Sequence, residues 1–255
     1  MQLADKVVVI TGSGNGIGEA FAHRFAAEGA KVVVTDIEAD AVERVASAVG
    51  TVGLAADITL EESVLAVADL ARRTYGEIDV WFSNAGYSGP PQPGDLQGDD
   101  IWDMTWHLHV MAHVYAARAV LPSMLERGDG YLLQTASIIA LSTQPDKVTY
   151  SVTKHAALAL AEWLAVQNRP KGIKVSCFCP GPMNTRMLRS NGFPDDHPVM
   201  KMALTPEQVA EILVEGIAAE RFLILPPGTT AQALVDKGTD YDAWLDSNAP
   251  SIAPT

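Results

Sequence analysis

Two side chains in the middle of the chain have the types and the spacing for proton transfer. Tyr150 and Lys154 lie four residues apart, so on a helix both project from one face. A tyrosine ordinarily ionises at about pH 10, and an ammonium one turn away stabilises the phenolate and brings its pKa toward the working range of a base. The same pair occurs by chance on many solvated helix faces. Ser137, thirteen residues before Tyr150, adds a hydroxyl at the end of an apolar run and gives the pair more weight.

A glycine-rich turn near the amino terminus is typical of a phosphate-binding loop. Residues 11–18 read TGSGNGIG and lie between a predicted strand and a predicted helix. Glycines allow a tight turn and a close approach to a pyrophosphate, which the free amides and the dipole of the helix start stabilise. The spacing is G-x-x-x-G-x-G rather than G-x-G-x-x-G, and such a turn alone is a weak signal. Its place between a strand and a helix predicts a dinucleotide site.

Asp36 follows the second predicted strand, 18 residues beyond Gly18. A carboxylate at that position accepts hydrogen bonds from the adenosine ribose hydroxyls and repels a 2′-phosphate. Asn15 in the loop and Ile37 after the acid leave no adjacent arginine or lysine for that phosphate. The sequence therefore favours NAD over NADP. The alternative is that Asp36 only caps the helix that follows.

The elements that must position these residues alternate regularly along the chain. Strands are predicted at 6–11, 31–35, 52–56, 79–83, 130–135, 174–179 and 222–225. Helices are predicted at 16–28, 37–49, 60–75, 101–127, 148–169 and 206–219, with a short one at 240–246. The strand runs are almost wholly apolar, which suits strands covered on both faces, as in a parallel sheet. This alternation predicts one Rossmann-type domain over 1–255, a doubly wound α/β sheet of about seven parallel strands with helices on both faces.

Two long stretches interrupt the alternation. Residues 86–98 follow the fourth predicted strand, and residues 182–205 follow the sixth. Both begin at carboxyl ends of strands, where open α/β sheets bind ligands, and long loops at that edge are often lids or pocket walls. We expect 182–205 to be a substrate loop and 228–255 to be a carboxyl-terminal tail.

Taken together, these motifs resemble the short-chain dehydrogenase/reductase family. Its members pair the G-x-x-x-G-x-G loop with a serine, a gap of twelve residues and then Y-x-x-x-K. Three further matches are Asp57-Ile58 after the third strand, Asn84-Ala85-Gly86 after the fourth and the segment 180–185 after the sixth. The motifs occur in the family's order and cover nearly the whole chain.

The resemblance implies an NAD-dependent alcohol dehydrogenase or carbonyl reductase acting on a small-molecule secondary alcohol or ketone. Ser137 would hydrogen-bond the substrate oxygen, Tyr150 would exchange its proton, and Lys154 would hold the nicotinamide ribose and lower the pKa of the phenol. Hydride would pass between the carbinol carbon and the nicotinamide. The alternative is a non-catalytic dinucleotide-binding protein of the same fold.

The resemblance also implies a cofactor site along the carboxyl edge of the sheet. Asp57 would contact the adenine, Asn84 to Gly86 would line the central crevice, and Met183 and Thr185 would orient the carboxamide. The expected cofactor-binding residues are Gly12, Asn15, Gly16, Ile17, Gly18, Asp36, Ile37, Asp57, Ile58, Asn84, Ala85, Gly86, Tyr150, Lys154, Pro180, Gly181, Met183 and Thr185.

The expected substrate pocket is apolar. Its walls would be Tyr87, Ile138, Ile139, Gln144, Met187, Leu188 and Phe193, with Met200 and Met202 in the same loop. Methionines adapt to varied shapes, which suggests an uncharged, medium-sized or aromatic substrate. The same methionines would also serve to close the core. Arg186 and Arg189 leave an acidic substrate open.

One position departs from the family pattern. Nine residues before Arg118 the family usually has an asparagine that holds a water and completes a proton relay, and here the residue is His109. An imidazole also passes protons and titrates near neutrality. His109 therefore either replaces the relay or only packs. His109 and His113 have a metal-binding spacing, but without a third ligand we expect no metal.

The charge balance limits the possible partners. The chain has 31 acidic and 18 basic residues, a formal net charge of −13. Such a chain repels nucleic acids and anionic membranes, and no apolar stretch reaches the roughly 18 residues of a membrane span. The first residues lack a signal core, which favours a cytoplasmic location. Cys177 and Cys179 are expected to be buried and reduced, and the family resemblance suggests a homo-oligomer, a dimer or tetramer, formed through the two long helices.

Overall fold

The sheet has the predicted parallel architecture. The computed structural model describes residues 1–89, 92, 95–226 and 231–249. Its seven strands are β1 (Val7–Thr11), β2 (Lys31–Asp36), β3 (Val52–Ala55), β4 (Val80–Ser83), β5 (Gly130–Thr135), β6 (Ile173–Phe178) and β7 (Leu223–Ile224). They are ordered β3-β2-β1-β4-β5-β6-β7, and every pair is parallel. The strand count and the doubly wound fold are confirmed.

The helices cover both faces of this sheet. They are α1 (Gly16–Ala27), α2 (Ala39–Val49), α3 (Glu61–Tyr75), α4 (Asp99–Trp106), α5 (Ala112–Arg127), α6 (Val148–Asn168), α7 (Arg186–Arg189), α8 (Pro198–Met202), α9 (Pro206–Ala218), α10 (Ala231–Thr239) and α11 (Tyr241–Asn248). Short 3₁₀ turns occupy Ile138–Ala140 and Arg169–Lys171.

Alternation along each strand explains why both faces are apolar. On β1, Val7 and Val9 pack into a core layer with α3, α5 and α6, whereas Val8 and Ile10 pack into a second layer with α1, α2 and α9. Successive side chains of a strand point to opposite faces, so a strand buried on both sides must be apolar at every position. The strand order reverses between β1 and β4, which opens a crevice at their carboxyl ends.

Three predictions of local structure need correction. The helix expected at 101–127 is two helices, because residues His107–Met111 form a π-helical segment in which the Ala112 amide donates to the His107 carbonyl. The expected loop 182–205 contains α7 and α8, capped by the Thr185 and His197 side chains. In the expected tail 228–255, α11 confirms the short helix predicted at 240–246, whereas α10 was not predicted. Residues 228–230 and 250–255 lie outside the described ranges, as do Pro90, Pro91, Pro93 and Gly94.

His113, on the inner face of α5, is a buried polar group without good partners. Its side chain is 1% exposed, and neither ring nitrogen has a hydrogen-bond partner among the described residues. Burial, followed by the charge of Lys154, lowers the pKa of the imidazole to about 3, although the nearby Gln134 amide partly opposes the shift. His113 is therefore neutral in the folded protein.

This burial generates a pH-dependent stability. In the unfolded state the imidazole regains a pKa of about 6.5. Below that pH the unfolded state binds a proton that the native state does not bind, which lowers the free energy of unfolding. We expect wild-type protein to lose about 2 kcal/mol more free energy of unfolding than His113→Leu between pH ~7.5 and ~5. Urea denaturation at both pH values measures the difference. His23→Leu, on the exposed side of α1, is the control, and equal losses in all three proteins would contradict the assignment.

Candidate active site

The serine, the tyrosine and the lysine lie together beyond the ends of β5 and β6. Ser137 follows β5 and is the N-cap of the 3₁₀ turn, where its Oγ accepts the Ile139 amide at 3.2 Å. That bond leaves the hydroxyl proton free for another acceptor. The Lys154 Nζ donates to the Thr135 carbonyl at 3.0 Å and lies 5.7 Å from the centroid of the Tyr150 ring.

The proton affinities of this group are set mainly by burial. Burial raises the pKa of Tyr150 above its ordinary value, and the Ser137 hydroxyl partly opposes that shift. Burial lowers the pKa of Lys154 to about 8, while Cys177 and Cys179 act in the opposite direction. The net shift of the phenol is thus opposite to the one expected from its lysine neighbour. In the protein alone, Tyr150 is protonated at neutral pH.

The two cysteines lie close to Lys154. Cys177 is on β6, and Cys179 directly follows the end of that strand. Cys177 and Cys179 are both fully buried and unbridged, and their Sγ atoms are 3.9 Å apart. They belong to the core layer that contains α6. This matches the expectation of buried thiols.

The glycine loop turns where only glycine fits. Gly12 and Gly16 have positive φ angles of 64° and 58°. A Cβ added at Gly18 would lie 1.9 Å from the Gly12 carbonyl oxygen, so this packing admits no side chain. Asn15 is the N-cap of α1, but its side chain binds the Glu38 carboxylate at 3.1 Å instead of capping the helix. The first amides of α1 are left for an anion, as a pyrophosphate site requires.

Two short hydroxyl side chains fix this loop. The Ser13 Oγ accepts the Thr35 amide at 3.0 Å and donates to the Ile10 carbonyl at 2.7 Å. The Thr11 Oγ1 accepts the Asn84 amide at 2.9 Å and the Ala85 amide at 3.1 Å. Sequence reasoning missed both residues. Their only local signal is a small hydroxyl at the end of a buried strand.

Asp36 is bound to the loop that it was expected to complement. Its Oδ2 accepts the Gly14 amide at 3.0 Å and its Oδ1 accepts the Glu38 amide at 3.3 Å. Glu38 itself is the N-cap of α2, so the capping alternative does not describe Asp36. Ile37 is 69% exposed beside it.

An arginine from α2 reaches the same end of the cleft. The Arg44 Nη2 donates to the Gly14 carbonyl at 2.8 Å, and the guanidinium pairs with Glu19. The sequence showed no basic residue adjacent to Asp36, and the fold supplies this one from eight positions away. Its charge is already matched by a carboxylate.

The remaining expected cofactor residues occupy varied environments. Asp57 accepts the amide and hydroxyl of Thr59, whereas the Ile58 side chain is buried in the core and presents only its backbone. The Pro180 carbonyl accepts the Ile138 amide at 2.9 Å, which joins the loop after β6 to the turn after Ser137. Thr185 caps α7 and approaches the glycine loop at Gly16. The smaller or apolar members of the set are Ile17, Gly86, Gly181 and Met183, which are all partly buried.

The expected pocket residues divide by exposure. Tyr87 and Met187 are 42% and 40% exposed, and the others, Ile138, Ile139, Gln144, Leu188 and Phe193, are partly buried. Met200 is partly buried, and Met202 is 70% exposed. Neither core layer contains these loop methionines, so they do not close the core. A cavity of about 560 Å³ lies between Ser142 and helices α10 and α11, and none of the expected pocket residues lines it.

A buried lysine that sequence reasoning missed joins three segments at the start of α6. The Lys147 Nζ donates to the Ser88 Oγ at 3.3 Å, the Gly89 carbonyl at 2.9 Å and the Asn191 Oδ1 at 3.0 Å. These bonds tie the loop after β4 and the substrate loop to the helix that carries Tyr150. The side chain is 5% exposed, and burial lowers the pKa of its ammonium, although the charge of the neighbouring Asp146 partly opposes that shift.

His109 is also brought into the site, from the π-helical segment. Its ring is fully buried and meets the Tyr150 ring edge-on, with the centroids 5.6 Å apart. Within the described ranges, no three histidine, cysteine, aspartate or glutamate side chains cluster closely enough to hold a metal ion. Among the helices described, none combines the length and the apolar character needed to cross a membrane.

Comparison with known proteins identifies the family. The family model for short chain dehydrogenases matches residues 6–194. The 1-deoxy-11-beta-hydroxypentalenate dehydrogenase of Streptomyces exfoliatus is 33% identical over all of this chain and 94% of its own length.

Solved structures agree with that match. The 3-ketoacyl-(acyl-carrier-protein) reductase from Brucella melitensis, complexed with NADH, superposes with a TM-score of 0.81 at 31% identity, covering 88% of this chain and 96% of that one. The L-sorbose reductase from Gluconobacter frateurii, complexed with NADPH and L-sorbose, has a TM-score of 0.80 at 28% identity, with coverages of 91% and 99%. The chain therefore belongs to the short-chain dehydrogenase family of oxidoreductases.

Proposed function

We propose that this oxidoreductase transfers a hydride between the nicotinamide of NAD and the carbon of a secondary alcohol or ketone, with Tyr150 as the general acid and base. The observation that carries the proposal is the convergence of Ser137, Tyr150 and Lys154 beyond β5 and β6. The glycine loop lies at the same edge of the sheet, beyond β1. A proton-transfer group and a dinucleotide cradle on one edge are what alcohol–ketone interconversion needs.

Proton transfer would take place at the Tyr150 Oη. In ketone reduction the phenol donates its proton to the carbonyl oxygen, and in alcohol oxidation the phenolate accepts the hydroxyl proton. The Ser137 hydroxyl donates to the same oxygen and holds it in place. Because burial raises the pKa of the phenol, the protein alone is in the state suited to reduction. Oxidation requires the Lys154 ammonium, which persists below about pH 8, and the cofactor charge to stabilise the phenolate.

The cofactor site fits a dinucleotide. The uncapped start of α1 presents its amides, and Gly12 and Gly16 adopt the turn that a pyrophosphate requires. When bound, the nicotinamide supplies or accepts the hydride. The Lys154 ammonium would hold the ribose, and the segment 183–185, which approaches the glycine loop, would hold the carboxamide.

The preference for NAD rests on the acids at the end of β2. The Asp36 carboxylate would accept the ribose hydroxyls and repel a 2′-phosphate, and the two nearby guanidinium groups are already paired, Arg44 with Glu19 and Arg186 with Glu38. Similar proteins carry NADH in one case and NADPH in another, so the choice depends on these residues of this chain.

The substrate would be a small molecule with a secondary alcohol or ketone, bound between the turn after Ser137 and the substrate loop. The names of the similar proteins refer to hydroxy, keto and sugar compounds. We also propose a cytoplasmic homo-oligomer, a dimer or tetramer. Trp163 and Val166 support self-association, because they are 59% and 72% exposed on α6. A role limited to dinucleotide binding would leave the partly buried Tyr150 and the buried Lys154 without a purpose.

The first test replaces the proton carrier. Tyr150→Phe should lose about 10²-fold or more in turnover, because general acid–base catalysis contributes that much, while NAD affinity stays unchanged. NADH absorbance on mixing with panels of alcohols and ketones measures turnover, and calorimetry measures binding. Tyr241→Phe on the exposed face of α11 is the control. Turnover of Tyr150→Phe within about tenfold of wild type would refute the role, and NAD binding by a wild type inactive on the whole panel would favour the non-catalytic alternative.

The second test exchanges the cofactor preference. Asp36→Asn keeps an oxygen to accept the Gly14 amide but removes the charge, and Ile37→Arg adds a cation at an exposed position. We expect the double variant to raise the ratio of kcat/KM for NADP to that for NAD by at least about tenfold, which is about 1.4 kcal/mol. Ile37→Arg alone is the control for added charge. An unchanged ratio in the double variant would remove Asp36 from this role.

The third test releases the substrate loop. Lys147→Met keeps the length of the side chain but loses its three hydrogen bonds to Ser88, Gly89 and Asn191. We expect the KM for the substrate to rise about tenfold, the KM for NAD to stay constant, and proteolysis within 182–205 to become faster. Lys201→Met, an exposed lysine of α8, is the control. An unaltered substrate KM would show that the contacts do not shape the pocket.

A further inference from the structure

We infer that His109 acts as a neutral clamp of fixed tautomer, which positions the catalytic helix α6 against the loop after β4 and does not itself carry the proton. The inference rests on the proposed function, because the helix carries Tyr150 and Lys154. It decides between relay and packing at the position where the family pattern has an asparagine, and it assigns to His109 a partner, Thr153, that no sequence motif indicates.

The tautomer follows from the donors around the ring. The Tyr87 amide lies 3.0 Å from the His109 Nε2, and since a backbone amide only donates, this nitrogen must offer its lone pair. A neutral imidazole has one accepting and one protonated nitrogen, so the proton is on Nδ1. The Nδ1–H donates to the Thr153 Oγ1 at 2.8 Å.

Thr153 links His109 to further hydrogen bonds within and beyond α6. The Thr153 Oγ1 donates to the Thr149 carbonyl at 2.7 Å, and the Thr149 Oγ1 donates to the Gln97 Oε1 at 2.6 Å. These bonds connect the loop after β4, the π-helical segment, the first two turns of α6 and the loop before α4. The Thr153 hydroxyl gives its one proton to the Thr149 carbonyl, so its oxygen is left to accept the His109 Nδ1–H, whereas the Thr149 hydroxyl donates to Gln97 in a separate bond.

This arrangement excludes a relay through the ring. Transfer through an imidazole needs one nitrogen to gain a proton and the other to lose one, but the Nε2 lone pair faces an amide that supplies none. The titratable groups facing the ring are Lys154, His113 and Tyr150, and the lysine charge opposes protonation. The side chain is 0% exposed, so no solvent proton reaches it directly.

The same contacts give the clamp its effect on the reacting groups. Thr149 and Thr153 immediately precede Tyr150 and Lys154, so the chain fixes the helix where both reacting groups leave it. Gly86 packs between the Lys154 and His109 side chains. A Cβ added at Gly86 would lie 3.4 Å from the Lys154 Nζ and 3.5 Å from the His109 Nε2. Loss of the clamp frees the loop and the helix to shift relative to one another, and small misplacements of reacting groups cost large factors in rate.

The first measurement reads the tautomer directly and needs no turnover. The protein is labelled with ¹⁵N-histidine, and the His109 signals are assigned as those missing from His109→Asn. We expect an Nδ1–H neutral ring whose shifts do not titrate between about pH 5 and about pH 9, where an ordinary histidine would change charge. A ring protonated on Nε2, or one that titrates near neutrality, would overturn the inference.

The second measurement tests the positioning in catalysis. Thr153→Val removes the acceptor, and Thr153→Ser restores a hydroxyl in nearly the same volume. We expect Thr153→Val and His109→Leu each to lower kcat about tenfold or more, with the KM for NAD and the pH dependence of kcat unchanged, and Thr153→Ser to recover most of the loss. The double variant should lose little more than either single one, because both break the same chain.

Other outcomes would overturn the inference. A relay predicts a displaced pH profile in His109→Leu, and simple packing predicts lower stability with kcat unchanged or losses that add in the double variant. Thermal unfolding of every variant identifies those that do not fold. If Thr153→Val or His109→Leu does not fold, the kcat of Thr153→Ser and the ¹⁵N spectrum of the wild-type protein still test the inference. Failure of the proposed function is separate, since it would appear as turnover of Tyr150→Phe within about tenfold of wild type or as a wild type inactive on the whole panel, and the ¹⁵N measurement depends on neither.

Discussion

The site depends on how Asn84 spans the reversal of strand order. This side chain donates from Nδ2 to the Thr11 carbonyl at 3.0 Å on β1 and accepts the Thr135 hydroxyl at 3.2 Å on β5. The Thr135 carbonyl in turn accepts the Lys154 ammonium. A polar seam thus runs across three neighbouring strands, from the glycine loop to Lys154 on α6. Parallel pairing alone would bring these ends to one edge, but the seam sets their separation, because each group in it is buried and must keep its partner.

Electrostatics at this edge contrasts with the rest of the molecule. The protein has a net charge of −13, yet Lys147 and Lys154 are buried there and pair with carbonyl, hydroxyl and amide oxygens rather than with described carboxylates. Uncompensated ammonium groups are costly to bury, and the lowered pKa values of both lysines express that cost. An acid near Lys154 would relieve the cost but would also cancel the charge that stabilises the phenolate. Among the described residues no acid pairs with Lys154, which suits the proposed role of its charge beside Tyr150.

The sequence predicts the parts of this design that depend on local pattern. Apolar runs with short turns predict the strands to within one or two residues, and the motif spacing together with the family resemblance selects Ser137, Tyr150 and Lys154. The π-helical segment was missed because its residues continue the helical pattern of 101–127, and one wider turn leaves no compositional sign. Ser13, Lys147 and Thr153 were missed because their function lies in partners 22 to 59 residues away. Such contacts exist only after the parallel crossovers have formed.

The same requirement, that buried polar groups keep their hydrogen-bond partners, limits which residue can occupy position 109. This buried point needs an acceptor for the Tyr87 amide and a donor for the Thr153 hydroxyl, because an unpaired buried amide costs more than an ordinary hydrogen bond supplies. Two kinds of neutral side chain meet that need: an amide, as in the family's asparagine, and an imidazole with one protonated nitrogen. A titrating histidine would lose its acceptor on protonation and leave the Tyr87 amide unpaired. The constraint at this position is therefore a fixed order of donor and acceptor, and burial suppresses the titration that an exposed histidine would show near neutral pH.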